Sequence, residues 1–448
     1  MIAAFALAAL LQQSPMPSVA PDGVFRSRGY GLVIVRAGQD LRVYHEAAGA
    51  CWLDPDGDDL KDSFAAVVPV ADGIGLTEAH DDQASIYVFD RLSALPPACE
   101  HPDTSDRAAV LAVSDLMQAY YPGFEARKID FQARRRDVLA RLSQTPSPSQ
   151  AFAAAADLLS GLDDAHIELS AEIEGRTQDL QVSSGRTLDA VNARAEPRPE
   201  RAWLGAWREG VLQTILDGEG HAVANNRVFW GVRDGVGYLA IVTMGGFDAE
   251  DAASTEPLEA VLDEAMIAFD GARAVIVDVS NNRGGYDSVS RLIASRFADQ
   301  PRVAYTKRGW ASAVAPQVVE VRPSDRPSYH GPVWLLTSDI TVSAGETFSQ
   351  MMTVLPNITH AGTRTRGAFS DQSPVVLANG WRFAMPMELY VDPQGHPLEG
   401  RGLTPQVRID LYPEGDLDHG HAKAVKALMR RLSHQAASPR SNRRTDQG

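Results

Sequence analysis

The sequence predicts an α/β protein preceded by a smaller β-rich module, and three observations carry that expectation. From about Arg227 onward, short apolar strands alternate with helical stretches; residues 106–169 show helical periodicity; and residues 23–100 alternate apolar and polar side chains between Gly and Asp turns. Strand-helix alternation implies a layered structure with much parallel pairing, because a parallel crossover needs a helix to bring the chain back.

In chain order, Ile2 to Leu11 form an apolar run, followed by Gln12-Gln13-Ser14 and a Pro-containing stretch to Pro21. Residues 1–22 are therefore read as an export signal, a buried or membrane-surface helix being the alternative. Residues 23–104 form the β-rich module, with strand patterns such as Tyr30 to Val35 and Ala84 to Phe89, and Pro96-Pro97 and His101-Pro102-Asp103 marking its end. Residues 105–170 are a helical segment, with apolar spacing at Val110, Val113, Leu116 and Met117, then stretches at 131–142 and 151–162. Ser149 is the candidate cap of the last of these. Residues 171–226 are polar and read as a connector with one helix, around 202–216. Residues 227–415 are the α/β core, with strands at 237–242, 274–279 and 333–336 and helices at 254–268, 289–297 and 344–355. Residues 416–448 hold a C-terminal helix and a polar tail expected to be disordered.

Composition narrows the function. The 448 residues carry a formal net charge of -16, so a phosphate backbone is not an expected partner. No internal apolar run reaches the ~20 residues that span a bilayer, and no stable membrane span is expected once the signal is removed. The two cysteines, Cys51 and Cys99, would pair in an exported protein, two buried thiols being the alternative. No CxxC or HExxH pattern occurs and no HxH spacing falls at a plausible site, so no metal or cofactor is expected. Nothing in the sequence specifies an oligomeric state.

Three segments could carry chemistry. In Leu335 to Phe348 an apolar strand ends, a polar turn follows and a helix starts at or just after Ser343. A hydroxyl there lies beside the free N–H groups of a helix start, which favour a developing anion. Its plainer reading is an N-cap, with Glu346 completing a capping box. In Asp278 to Tyr286 a buried strand runs into a turn containing Gly284 and Gly285. Paired glycines let amide N–H groups face a ligand, as a tetrahedral oxyanion requires; a tight strand-to-helix turn is the alternative. In Leu162 to Leu169, His166 follows a helix and is a candidate general base or an ordinary polar residue.

Taken together and in this order, these segments resemble the S41 serine peptidases, which include the carboxy-terminal-processing proteases, the tricorn core protease and the interphotoreceptor retinoid-binding proteins. Asp278 to Gly285 is similar to the family's D-x-R-x-N-x-G-G turn. Thr341-Val342-Ser343-Ala344-Gly345-Glu346 matches its nucleophile segment, and Glu399 to Gln406 is similar to its closing E-x-x-G-V-x-P-D. The resemblance runs from about Asp106 to Asp410. It implies a ClpP/crotonase-like core, and because the connector is short and shows no run of strands, no PDZ domain is expected.

The family works in two styles. In the processing proteases a lysine downstream of the nucleophile is the base, but Ala368 holds that position here, and an alanine cannot accept a proton. The tricorn and retinoid-binding branch draws a histidine from a segment that Asp164-Ala165-His166-Ile167 resembles and a glutamate from the closing segment. The resemblance thus implies Ser343 as nucleophile, His166 as base, Glu399 supporting the imidazole, and Ala344, Gly284 and Gly285 as oxyanion donors. Ala165 departs from the pattern by offering no hydroxyl to relay between His166 and Glu399, which leaves Asp164 as the alternative orienting residue. It implies a peptide or protein substrate and a periplasmic or cell-envelope location. The retinoid-binding relatives keep the fold for hydrophobic ligands, so a non-catalytic binder is the alternative.

Overall fold

The structure, a computed structural model, describes residues 22–434 except 39, 56–63, 65, 69, 71–72, 78–82 and 252–253. Nearly all of the predicted export signal and the tail from 435 lie outside the described residues. Among the described residues no helix is long and apolar enough to cross a membrane.

The N-terminal part is a single antiparallel sheet. Its strands are β1 (Gly23–Ser27), β2 (Leu32–Ala37), β3 (Asp40–Ala47), β4 (Ala50–Leu53), β5 (Ala66–Val68), β6 (Ile74–Thr77) and β7 (Ile86–Leu92). They lie in the order β4-β3-β2-β1-β7-β6-β5. Cys51 and Cys99 are joined by a disulfide with Cα atoms 4.5 Å apart, which ties β4 to the chain beyond β7.

Three helices follow: α1 (Asp106–Tyr120), α2 (Phe131–Arg141) and α3 (Pro148–Leu159). The cap of α3 is Ser147, not Ser149: Ser147 and Gln150 form a capping box, and Pro148 takes the first helical position, where a missing N–H costs nothing. Phe25, Ile34, Val43, Trp52 and Phe89 of the sheet share one core with Val113 and Leu116 of α1 and Leu158 of α3. The β-rich part is therefore welded to the helices.

The connector holds more structure than its polarity suggests. It contains the hairpin β8 (Glu168–Ile173) and β9 (Arg176–Gln181), helices α4 (Arg186–Asn192) and α5 (Pro199–Glu209), a π-helical turn Gly210–Ile215 and β10 (His221–Val223).

The remaining elements are β11 (Val228–Arg233), β12 (Val236–Ile241), α6 (Glu256–Ala268), β13 (Ala274–Asp278), α7 (Asp287–Ser295), β14 (Arg302–Gly309), β15 (Gln317–Val321), β16 (Val333–Thr337), α8 (Ala344–Thr353), β17 (Ile358–Gly362), β18 (Gln372–Val376), β19 (Arg382–Pro386), β20 (Glu388–Val391), β21 (Val407–Arg408) and α9 (Gly420–Ser433). The central sheet runs β10-β11-β12-β13-β16-β17-β21, parallel from β12 onward. Every residue of β12 and β13 is buried, as expected of strands covered on both faces.

Two further pairings place the site. Strand β8 joins β19 in the sheet β18-β19-β8-β9, with Leu169 opposite Phe383 and Ser170 opposite Arg382. The residues just ahead of β8, including His166, are thereby fixed against the core although they lie about 200 positions away in sequence.

Candidate active site

The site lies at the carboxyl ends of the parallel strands β13 and β16, where α/β sheets place their ligands. The turn after β16 is stitched to the turn after β13. Thr341 Oγ1 donates to Val279 O at 2.8 Å, and Val342 N donates to Asn282 O at 3.3 Å. Asn282 is itself anchored, its Nδ2 donating to Ile241 O at 2.9 Å.

Ser343 stands between this turn and α8, with φ 57° and ψ -128°. A left-handed φ at a non-glycine residue costs about 1–3 kcal/mol and persists where the surroundings impose it. Here they do: Ser343 N donates to Ala368 O at 2.9 Å, and Ser343 O accepts from Glu346 N at 2.7 Å. The hydroxyl caps nothing, so the capping-box reading of Ser343 and Glu346 does not hold. Glu346 turns inward, and its two oxygens accept from Gly367 N and Ala368 N, each at 2.7 Å. Glu346 thus holds the loop whose carbonyl holds Ser343. Burial pushes its carboxyl up to about 7.

Of the predicted oxyanion donors, Gly284 is already committed, its N–H donating to Asn282 Oδ1 at 2.9 Å. Gly284 serves by being small: a Cβ there would come within 2.6 Å of Ser343 Cβ. The N–H groups of Gly285 and Ala344 have no acceptor among the described residues. Two unspent amides beside a hydroxyl can stabilise a negative oxygen.

His166 lines the same cavity as Ser343, a space of about 650 Å³. Its backbone N–H donates to Asp164 Oδ1 at 3.0 Å. Asp164 therefore holds the histidine's main chain, and no hydrogen bond joins it to the ring. The other Asp164 oxygen accepts from Tyr121 Oη at 2.7 Å and pairs with Arg127 Nη2 at 2.9 Å. Arg127 also donates to Gly367 O at 3.1 Å, which links the histidine turn to the loop behind Ser343. Burial lowers the His166 imidazole below its ordinary value, against the pull of the Asp164 and Asp371 carboxylates. The ring is neutral near pH 7, the form that can accept a proton.

Glu399 is buried and makes no hydrogen bond to His166. One oxygen accepts from Phe369 N and Ser370 N, each at 3.0 Å. Its Oε1 and His166 Nδ1 are both buried without a partner among the described residues. Burial, then the nearby Asp164 charge, holds the Glu399 carboxyl well above the usual carboxylate range.

Sequence reasoning gave no role to several residues gathered here. His45 lines the cavity from β3, its Nε2 2.6 Å from Asp54 Oδ2. Asp371 lines it too, 3.9 Å from the buried Lys307 Nζ. Their partners come from segments scattered along the chain, so no motif announces them.

None of the curated proteins matches the chain. A peptidase-like protein of Parabacteroides merdae superposes with TM-score 0.58 at 21% identity, over 74% of this chain and 97% of the other. Mature CPAF in complex with lactacystin superposes with TM-score 0.51 at 14% identity, over 74% of this chain and 99% of the other. At these identities the two structures show the shared fold. The model of peptidase family S41 matches residues 235–409, the segment that carries Ser343, the glycine turn and Glu399, so the α/β core of this chain is similar to that family.

Proposed function

We propose that the protein is a serine peptidase that cleaves peptide bonds through an acyl-enzyme on Ser343. The observation that carries this reading is the setting of Ser343: a strained residue at a helix start, its hydroxyl free of capping, beside two unspent amides and in one cavity with a neutral histidine. His166 takes the hydroxyl proton as Ser343 attacks the carbonyl, and returns it to the leaving amine. Gly285 N–H and Ala344 N–H receive the oxyanion. Glu399 is the supporting residue: its unpartnered Oε1 and the unpartnered His166 Nδ1 are the two buried polar atoms whose demand a pairing during turnover would meet. Ala368 at the processing-protease lysine position supports assignment to the histidine-using branch.

The Cys51 to Cys99 disulfide supports an oxidising location, the periplasm or cell envelope, reached by cleavage of the N-terminal segment. The test is hydrolysis of a quenched fluorescent peptide pool. Turnover by the wild type that falls at least about a thousandfold in Ser343→Ala and in His166→Ala is expected. Undiminished turnover in either variant defeats the assignment, and a wild type that binds the pool without cleaving it supports a non-catalytic binder instead.

A further inference from the structure

The family match begins at residue 235, yet much of the cavity wall comes from far upstream. Leu32, His45 and Tyr87 of the N-terminal sheet, with Tyr30 and Phe64 from its connections, face the space that holds Ser343 and His166. The aromatic members form one cluster, with Tyr30 and Tyr87 ring centroids 4.5 Å apart and Phe64 and Tyr87 5.6 Å apart, edge to face. Such pairs hold their relative geometry, because the ring quadrupoles favour tilted and T-shaped contacts.

This wall is fixed to the peptidase core. Tyr30 Oη donates to the buried Glu388 Oε1 at 2.8 Å, Trp52 Nε1 donates to Val376 O at 2.9 Å, and Gln317 Nε2 donates to Ala84 O at 2.6 Å. The sheet shares its core with Phe383, Met385 and Met387. A surface this firmly joined keeps its shape when a ligand arrives, so little ordering cost is paid on binding.

The two arginines that line the cavity are already paired. Arg283 Nη1 lies 2.9 Å from Glu200, and Arg366 Nη2 lies 2.7 Å from Asp163. On the module side Leu32, Phe64 and Tyr87 give the wall an apolar stretch, with Met387 and Val375 beside them, and the His45 ring there is held by Asp54.

We propose that the N-terminal sheet is the substrate-selecting wall of this peptidase: Leu32, Phe64 and Tyr87, with Met387, form a subsite for one aromatic or large aliphatic side chain of the peptide held at Ser343. The proposal rests on the peptidase reading above for the identity of its ligand. A side chain entering here removes apolar surface from water against a preformed wall, whereas a charged one set against Leu32, Phe64 and Tyr87 loses hydration that these side chains do not replace.

The experiment measures binding, so that it does not depend on turnover. Full-length Ser343→Ala protein is titrated against three fluorescein-labelled hexapeptides that differ only in a central Phe, Asp or Lys, and polarisation is read. The Phe peptide is expected to bind at least about tenfold more tightly than the other two, the discrimination an apolar pocket supplies. Adding Leu32→Asp should weaken the Phe peptide by a similar factor and strengthen the Lys peptide, a reversal that misfolded protein cannot give. Equal binding of the three peptides, or a Leu32→Asp protein that keeps the original order or weakens all three alike, overturns the proposal. A wild type that never cleaves the Phe peptide but whose Ser343→Ala form shows the preference and its reversal defeats the peptidase reading alone and leaves the subsite standing.

Discussion

Gly284 leaves the space that the Ser343 side chain occupies: a Cβ at residue 284 would fall 2.6 Å from Ser343 Cβ and 3.2 Å from its Oγ. Gly284 also has φ +84°, a conformation side chains rarely adopt. Both effects oppose Gly284→Ala. That variant is expected to lose roughly 1–3 kcal/mol of stability and at least about a hundredfold in kcat/KM, because a small displacement of a nucleophile costs about that much. Denaturant unfolding and peptide hydrolysis on the same preparation check both numbers.

The backbone of Ser343 pays for its position. Its φ of 57° is imposed by hydrogen bonds to Ala368 O and from Glu346 N, and a residue without a Cβ would relax it. Ser343→Gly should therefore be more stable than Ser343→Ala by about 1 kcal/mol, while both are inactive. Midpoints of chemical unfolding for the two variants decide the point.

The His166 imidazole titrates below its ordinary value because it is buried. A base is active when deprotonated, so with His166 as the proposed base, activity is expected to rise with pH through that lowered value and to be full at neutrality. The acidic limb of kcat/KM is expected below pH 6.5, the ordinary histidine value. A limb at or above that pH would show a base in a more solvated or more anionic setting.

Glu346 carries the opposite signature. Its folded value of about 7 lies above its ordinary 4.5, so its contribution to stability is whole below about pH 4.5 and is lost as pH rises toward 7. The loss approaches about 3 kcal/mol if the unfolded carboxyl is ordinary. Glu346→Gln should flatten that part of the stability profile. It should also slow turnover, since an amide can accept from only one of Gly367 N and Ala368 N in place of both. Thermal unfolding between pH 4.5 and 8 reads the first effect and kcat the second.

The sequence made some of this legible and hid the rest for physical reasons. Strands β13 and β16 are apolar up to their last residues, Asp278 and Thr337, because both faces are covered, and the strand-turn-helix around Ser343 follows from residue types alone. The hairpin β8-β9 was not visible: β9 reads Arg176-Thr177-Gln178-Asp179-Leu180-Gln181 and is an exposed edge strand, and the partners that hold β8 lie about 200 residues downstream. Glu346 sat in a capping-box pattern, and only the fold shows that its carboxylate faces the 367–368 loop. Gly284 and Gly285 looked equivalent in the sequence, but the side chain of Asn282 takes one amide and leaves the other. The part played by the N-terminal sheet depends on a shared core that no local pattern encodes.

The proposed chemistry rests above all on the Ser343 hydroxyl being activated by its surroundings, and reaction with a fluorophosphonate followed by peptide mass mapping tests that most directly. The prediction is a single adduct on the peptide containing Ser343, formed in the wild type and absent after His166→Ala. No adduct, or an adduct on another serine that persists in Ser343→Ala, would contradict it.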